Sequence, residues 1–113
     1  MQVTREKAKD LGIELRAKGN GPNQVWIELE FKPEGRLKDF SHVSLEIREG
    51  QKLLVGYAAL KEKDSSSGKV VVTFMADRNY LEKVTLSIVV GRPMDMSGYN
   101  LAVKDFVEWD KVH

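Results

Sequence analysis

Strict alternation of apolar and polar side chains, repeated along most of this chain, is what most limits how it can fold. It is clearest in residues 25–32. Val25, Ile27, Leu29 and Phe31 share one face there, and Trp26, Glu28, Glu30 and Lys32 share the other. A period of two belongs to a β-strand with one buried face, because successive side chains leave a strand on opposite sides. No segment holds a 3.6-residue period over three turns, so helices are not expected to form the body of the fold.

The same alternation, or strong β-propensity, marks six further segments: residues 11–17, 43–48, 52–60, 69–76, 83–90 and 99–107. Between them lie turn-forming clusters, among them Gly19-Asn20-Gly21-Pro22-Asn23, Pro33-Glu34-Gly35 and Glu49-Gly50-Gln51. About seven strands at that spacing predict an antiparallel β-sandwich of immunoglobulin-like kind, with a C2-like sandwich or a small β-barrel as the alternatives. Phe40 has the opposite parity to Val43, Leu45 and Ile47, which a bulge near Ser41 reconciles. Gly56, in the middle of an apolar run, suggests a kink or a close backbone approach. Residues 61–68, Lys-Glu-Lys-Asp-Ser-Ser-Ser-Gly, read as a solvated, mobile loop, and residues 91–98 as a second long loop.

The two strands in residues 69–90 are joined by Asp77-Arg78-Asn79-Tyr80-Leu81-Glu82, too long for a tight hairpin and suited to an arch between two sheets. Tyr80 and Leu81 are expected to pack at its corner. Residues 11–107 are expected to form a single domain. Residues 1–10 then form a poorly ordered leader, in which Thr4 is able to cap a short turn that Gly12 ends, and residues 108–113 form a tail carrying Trp109.

Composition narrows the function classes. Eighteen basic and 17 acidic residues leave a formal charge of +1, and the two signs are interleaved, so nucleic acid is not an expected partner. The chain contains no cysteine, which excludes thiol catalysis, disulfides and thiolate metal sites. No apolar run reaches the roughly 20 residues that span a bilayer. The first residues lack a signal-peptide core, so the expected setting is cytoplasmic, or exported with a leader removed.

Chemistry is sparse. His42 and His113 are the only histidines and have no local ligand spacing, while Asp64, Asp77 and Asp95 stand apart from one another, so no metal or other cofactor is expected. Ser41 and His42, with Asp39 as carboxylate, are the residue types of a small hydrolase, but neighbours on a strand diverge unless a bulge brings them together. Glu28 and Glu30 share an outward face, as exposed strand residues commonly do. Ser66-Ser67-Gly68-Lys69 lacks the leading glycine and following helix of a phosphate loop.

Recognition is the remaining class. With Val70, Val72, Phe74, Ala76, Val84, Leu86, Ile88 and Val90 inward, Val71, Thr73, Met75, Thr85, Ser87 and Val89 face out and form surfaces more apolar than solvent requires. A protein partner or a homodimer is therefore expected on an apolar sheet face. Arg92, Asp95 and Tyr99 at the second loop, and Trp26 on its strand, are the candidate binding residues. The expected function is a non-enzymatic binding, accessory or interaction module, with a hydrolase or a purely structural dimerising subunit as alternatives.

Overall fold

Val25, Ile27, Leu29 and Phe31 are buried to within 1% of their surface, as the alternation requires, and strand β2 (Gln24–Phe31) that carries them is central to one of two sheets. The computed structural model describes residues 2–59, 61–64, 68–92 and 94–107, with the backbone alone for 61–64. Among them, two four-stranded antiparallel sheets face each other. One has the order β1-β2-β6-β5, with β1 Glu14–Asn20, β5 Lys61–Asp64 and β6 Val70–Asp77. The other has the order β4-β3-β7-β8, with β3 Phe40–Glu49, β4 Lys52–Tyr57, β7 Thr85–Arg92 and β8 Asp95–Ala102. All ladders are antiparallel. The sheets stay separate, so the fold is a sandwich and not a closed barrel. Strands β5 to β8 repeat the path of β1 to β4: each set runs outer, inner in the first sheet, then inner, outer in the second.

Both strands of residues 69–90 are central, β6 in one sheet and β7 in the other. Their inward residues are buried as expected, with Phe74, Leu86 and Ile88 wholly enclosed. The connector is an arch between sheets, tightened by a 3-10 turn at Arg78–Tyr80. Leu81 and Val84 are buried beneath it, whereas Tyr80 is 44% exposed and does not pack at the corner. Arg78 anchors the arch to the β1–β2 turn. Its backbone N–H donates to the Asn23 carbonyl at 2.9 Å, and its Nη2 donates to the Gly21 carbonyl at 3.2 Å.

Residues 5–11 differ from a frayed leader. Helix α1 (Arg5–Leu11) is capped by Thr4, whose Oγ1 accepts from the Lys7 N–H at 3.2 Å. It ends at Gly12, whose φ of 73° lets the following N–H of Ile13 reach the Ala8 carbonyl at 2.8 Å. Val3 and Ala8 are each only 2% exposed and pin the segment to the core. Leu11 packs partly against the same core, and so few apolar residues suffice because both caps satisfy helix-end groups that a frayed turn leaves to water.

Three other segments depart from expectation. Residues 61–64 pair with β6 as β5, because a ladder needs only backbone groups and an edge strand tolerates charge. Residues 65–67 and the tail at 108–113 lie outside the described residues. The second long loop is instead the β7–β8 hairpin, whose last pair is Arg92 with Asp95. The irregularity of β4 lies at Leu54, where the register against Ile47 and Arg48 shifts; Gly56 pairs regularly, and a Cβ there would meet only Leu53 Cδ2 at 3.9 Å. At Ser41 the bulge forms as the parity requires, between Phe40 and His42. It turns Phe40 onto Phe31, edge to face at 5.2 Å between ring centroids.

Candidate functional site

The outer face of the β1-β2-β6-β5 sheet carries the best-defined surface feature. Cross-strand register places Lys18, Trp26 and Met75 in one row, Arg16, Glu28 and Thr73 in the next, and Glu14, Glu30 and Val71 in a third. Trp26 is half-buried, and a groove of about 370 Å³ lies beside it, lined by Arg16, Ala17, Lys18, Trp26, Glu28 and Thr73. The aromatic stands here because β2 alternates: its inward positions fill the core, and Trp26 has the outward parity.

Arg16 organises the charges of this face. Its Nη1 meets Glu14 at 2.9 Å, its Nε donates to Glu28 Oε1 at 3.2 Å, and Glu30 lies 3.7 Å away. Glu30 also approaches Lys69 at 3.7 Å. The hydrogen bond to Glu28, and then the surrounding carboxylates, hold the Arg16 guanidinium above its ordinary pKa. Glu28 and Glu30 are thus parts of one ion-pair network. That is not the arrangement of a glycosidase, whose two carboxyl groups flank an open bond-cleavage site. At the other end of the face the Asn20 amide contacts Met75 Sδ at 3.9 Å.

The remaining candidate residues do not converge. Tyr99 sits in β8 opposite Ile88 and is 8% exposed, so its ring belongs to the core and not to a loop site. Arg92 and Asp95 face each other at the exposed hairpin tip. The outward residues Val71, Thr73 and Met75 lie on one sheet, and Thr85, Ser87 and Val89 on the other, so they do not make one apolar face. Ser87 is 8% exposed, and its hydroxyl donates to Asn100 Oδ1 at 2.7 Å.

Ser41 and His42 do meet. The bulge brings Ser41 Oγ within 3.3 Å of His42 Nδ1, but both are exposed, and neither hydrogen-bonds a carboxylate among the described residues. Asp39 contributes its backbone carbonyl to the Gly91 N–H at 2.9 Å. A nucleophile needs a base that is itself oriented and shielded from water, and this pair has neither support. Among the described residues no group of three metal-ligating side chains comes together, and no helix is long and apolar enough to cross a membrane.

Arg16 and Lys18 were not singled out from the sequence, and Thr73 only as one outward residue of its strand. The outward parity of Arg16 was readable, but its partners were not, since they depend on β1 pairing with β2 and β2 with β6. A larger hollow of about 550 Å³ between α1 and β1 is rimmed mainly by charged side chains, Arg16 again among them. Compared with known proteins, the chain matches no family model, no curated protein and no solved structure at a significant level.

Proposed function

We propose that this chain is a non-enzymatic recognition module, built on an immunoglobulin-like sandwich, that takes a protein partner on the outer face of the β1-β2-β6-β5 sheet. The groove beside the half-buried Trp26 is the observation that carries this reading. An indole held in place by a sheet offers a rigid apolar plane at little cost in side-chain entropy, and such residues dominate protein interfaces. Arg16, Lys18 and Glu28 frame the plane with both signs of charge, which suits a polar rim that sets the partner's orientation. The strand order supports the immunoglobulin-like part: β1-β2-β6-β5 over β4-β3-β7-β8 follows the A-B-E-D over C′-C-F-G arrangement. The exposed, unsupported Ser41–His42 pair speaks for binding over hydrolysis.

Panning a displayed peptide library against the chain is expected to yield binders that weaken about tenfold or more when Trp26 is changed to Ala. Urea unfolding of Trp26→Ala is expected to stay within about 2 kcal/mol of the parent, because the side chain is outside the core. Binders indifferent to Trp26, or none at all, count against the site. Ester hydrolysis that disappears in His42→Ala establishes the enzyme instead.

A further inference from the structure

A sandwich of this kind has four sheet edges, and three of them are guarded. β1 presents Glu14, Arg16 and Lys18 in alternation, β5 has a charged residue at every position, and β8 is bordered by the N-terminal segment. There Gln2 bridges Asn100, and the Val3 N–H donates to the Asn100 carbonyl at 2.8 Å. Among the described residues β4 has neither alternating charge nor a covering segment. It pairs only with β3, carries no charge from Leu53 to Tyr57, and leaves Leu53, Leu54 and Val55 exposed by 49%, 48% and 37%. An apolar edge with free backbone groups is a template for another strand.

We infer that this edge receives the β4 of a second copy of the chain, antiparallel across a two-fold axis between Leu54 and Val55. That pairing sets Leu54 opposite Val55, Leu53 opposite Gly56 and Lys52 opposite Tyr57 of the other copy. Paired residues must lie on one face of a sheet. In an unbroken strand Lys52 and Tyr57, five residues apart, fall on opposite faces. The bulge at Leu54 removes the conflict. On β3, Lys52 stands opposite Glu49 and Tyr57 opposite Leu45, four residues apart and of one parity, while Leu53 and Gly56 stand opposite Arg48 and Glu46, likewise of one parity.

Side-chain chemistry agrees with this register. Above Gly56 only Leu53 Cδ2 of the same strand comes within 4 Å of where a Cβ would stand, so a Leu53 arriving from the partner strand packs against a leucine there. Tyr57 donates its hydroxyl to Asp77 Oδ2 at 3.2 Å, so a Lys52 arriving opposite Tyr57 comes beside Asp77. Neither Lys52 nor Asp77 has an ion-pair partner among the described residues of its own copy, and the symmetry forms the contact twice. The two β4-β3-β7-β8 sheets then run on as one sheet of eight strands.

Sedimentation velocity of the full chain from about 1 μM to about 1 mM is expected to show a monomer–dimer equilibrium. Leu54→Lys places a charge in the seam of an already exposed position, so it is expected to weaken the dimer at least about tenfold while circular dichroism stays unchanged. Lys52→Asp and Asp77→Lys are each expected to weaken it, and the double variant to associate more tightly than either single one. A monomer at every concentration overturns the proposal, as does a dimer that survives Leu54→Lys. A double variant no tighter than the single ones overturns the register.

Discussion

Arg78 and Tyr57 show how single side chains tie the two layers together. The arch could swing away from the β1–β2 turn but for Arg78, whose guanidinium reaches the Gly21 carbonyl at 3.2 Å. Arg78→Ala keeps the backbone bond to Asn23 and loses this one, and is expected to cost about 1.5–3 kcal/mol in urea unfolding, the range for a hydrogen bond to a charged group. An unchanged midpoint removes Arg78 as an anchor. Tyr57 spans from β4 to the end of β6, where burial first, and then the Asp77 carboxylate, hold its phenol above the ordinary value of 10.0. Folding therefore favours the neutral phenol. Its contribution is intact below the unfolded phenol's pKa and is lost as pH rises through the higher folded value. In a phenolate absorbance titration, Asp77→Asn is expected to bring the Tyr57 ionisation to lower pH; a curve that does not move rules out Asp77 as a cause.

Elements here are decided as much by their ends and neighbours as by their own pattern. The β7–β8 hairpin depends on Gly91, where φ is 105° and a Cβ would stand 2.2 Å from the Asp95 carbonyl oxygen. No rotation of a side chain relieves a clash with backbone. Gly91→Ala is thus expected to destabilise the chain by about 2 kcal/mol or more, with the largest gain in amide exchange along β8; exchange raised evenly everywhere contradicts a local role. The glycine-rich, methionine-containing stretch at 91–98 resembled a loop because Asp95, Ser97 and Gly98 are poor strand formers. Its pairing comes from β7, a strong central strand whose free edge recruits it. β5 is the same case, four charged residues held by the ladder of β6. In α1 the cap residues Thr4 and Gly12 and the apolar Ala8 were legible, but not the burial of Val3 that helps make so short a helix worth forming.

The whole molecule rests on the interface between the two inner pairs, β2 with β6 and β3 with β7. Phe74 lies in the middle of it, fully enclosed and opposite Ile27 in its own sheet. Phe74→Ala is expected to cost about 3–5 kcal/mol, the loss of a large buried ring plus the cavity it leaves. The chemical denaturation midpoint measures it, and a loss under about 1 kcal/mol is incompatible with this core. At this scale the two proposed surfaces are independent. The Trp26 groove lies on the outer face of one sheet, and β4 at the edge of the other. Leu54→Lys should leave peptide binding at Trp26 intact, and Trp26→Ala should leave association intact.

By itself the sequence determined the strand class, the inward residues of β2, β6 and β7, the bulge at Ser41 and the arch between sheets. All of these follow from short-range regularities: parity along one strand, the steric preferences of turn residues, and the length of a connector. Only the tertiary structure decided which strand lies beside which. That choice brought Arg16 to Glu28 and Glu30, set Trp26 between Lys18 and Met75, drew Tyr99 into the core, and left β4, among the described residues, as the edge without a guard. Such contacts join residues far apart in the chain. Their partners are selected by the burial of whole sheet faces, a free energy that no local pattern contains.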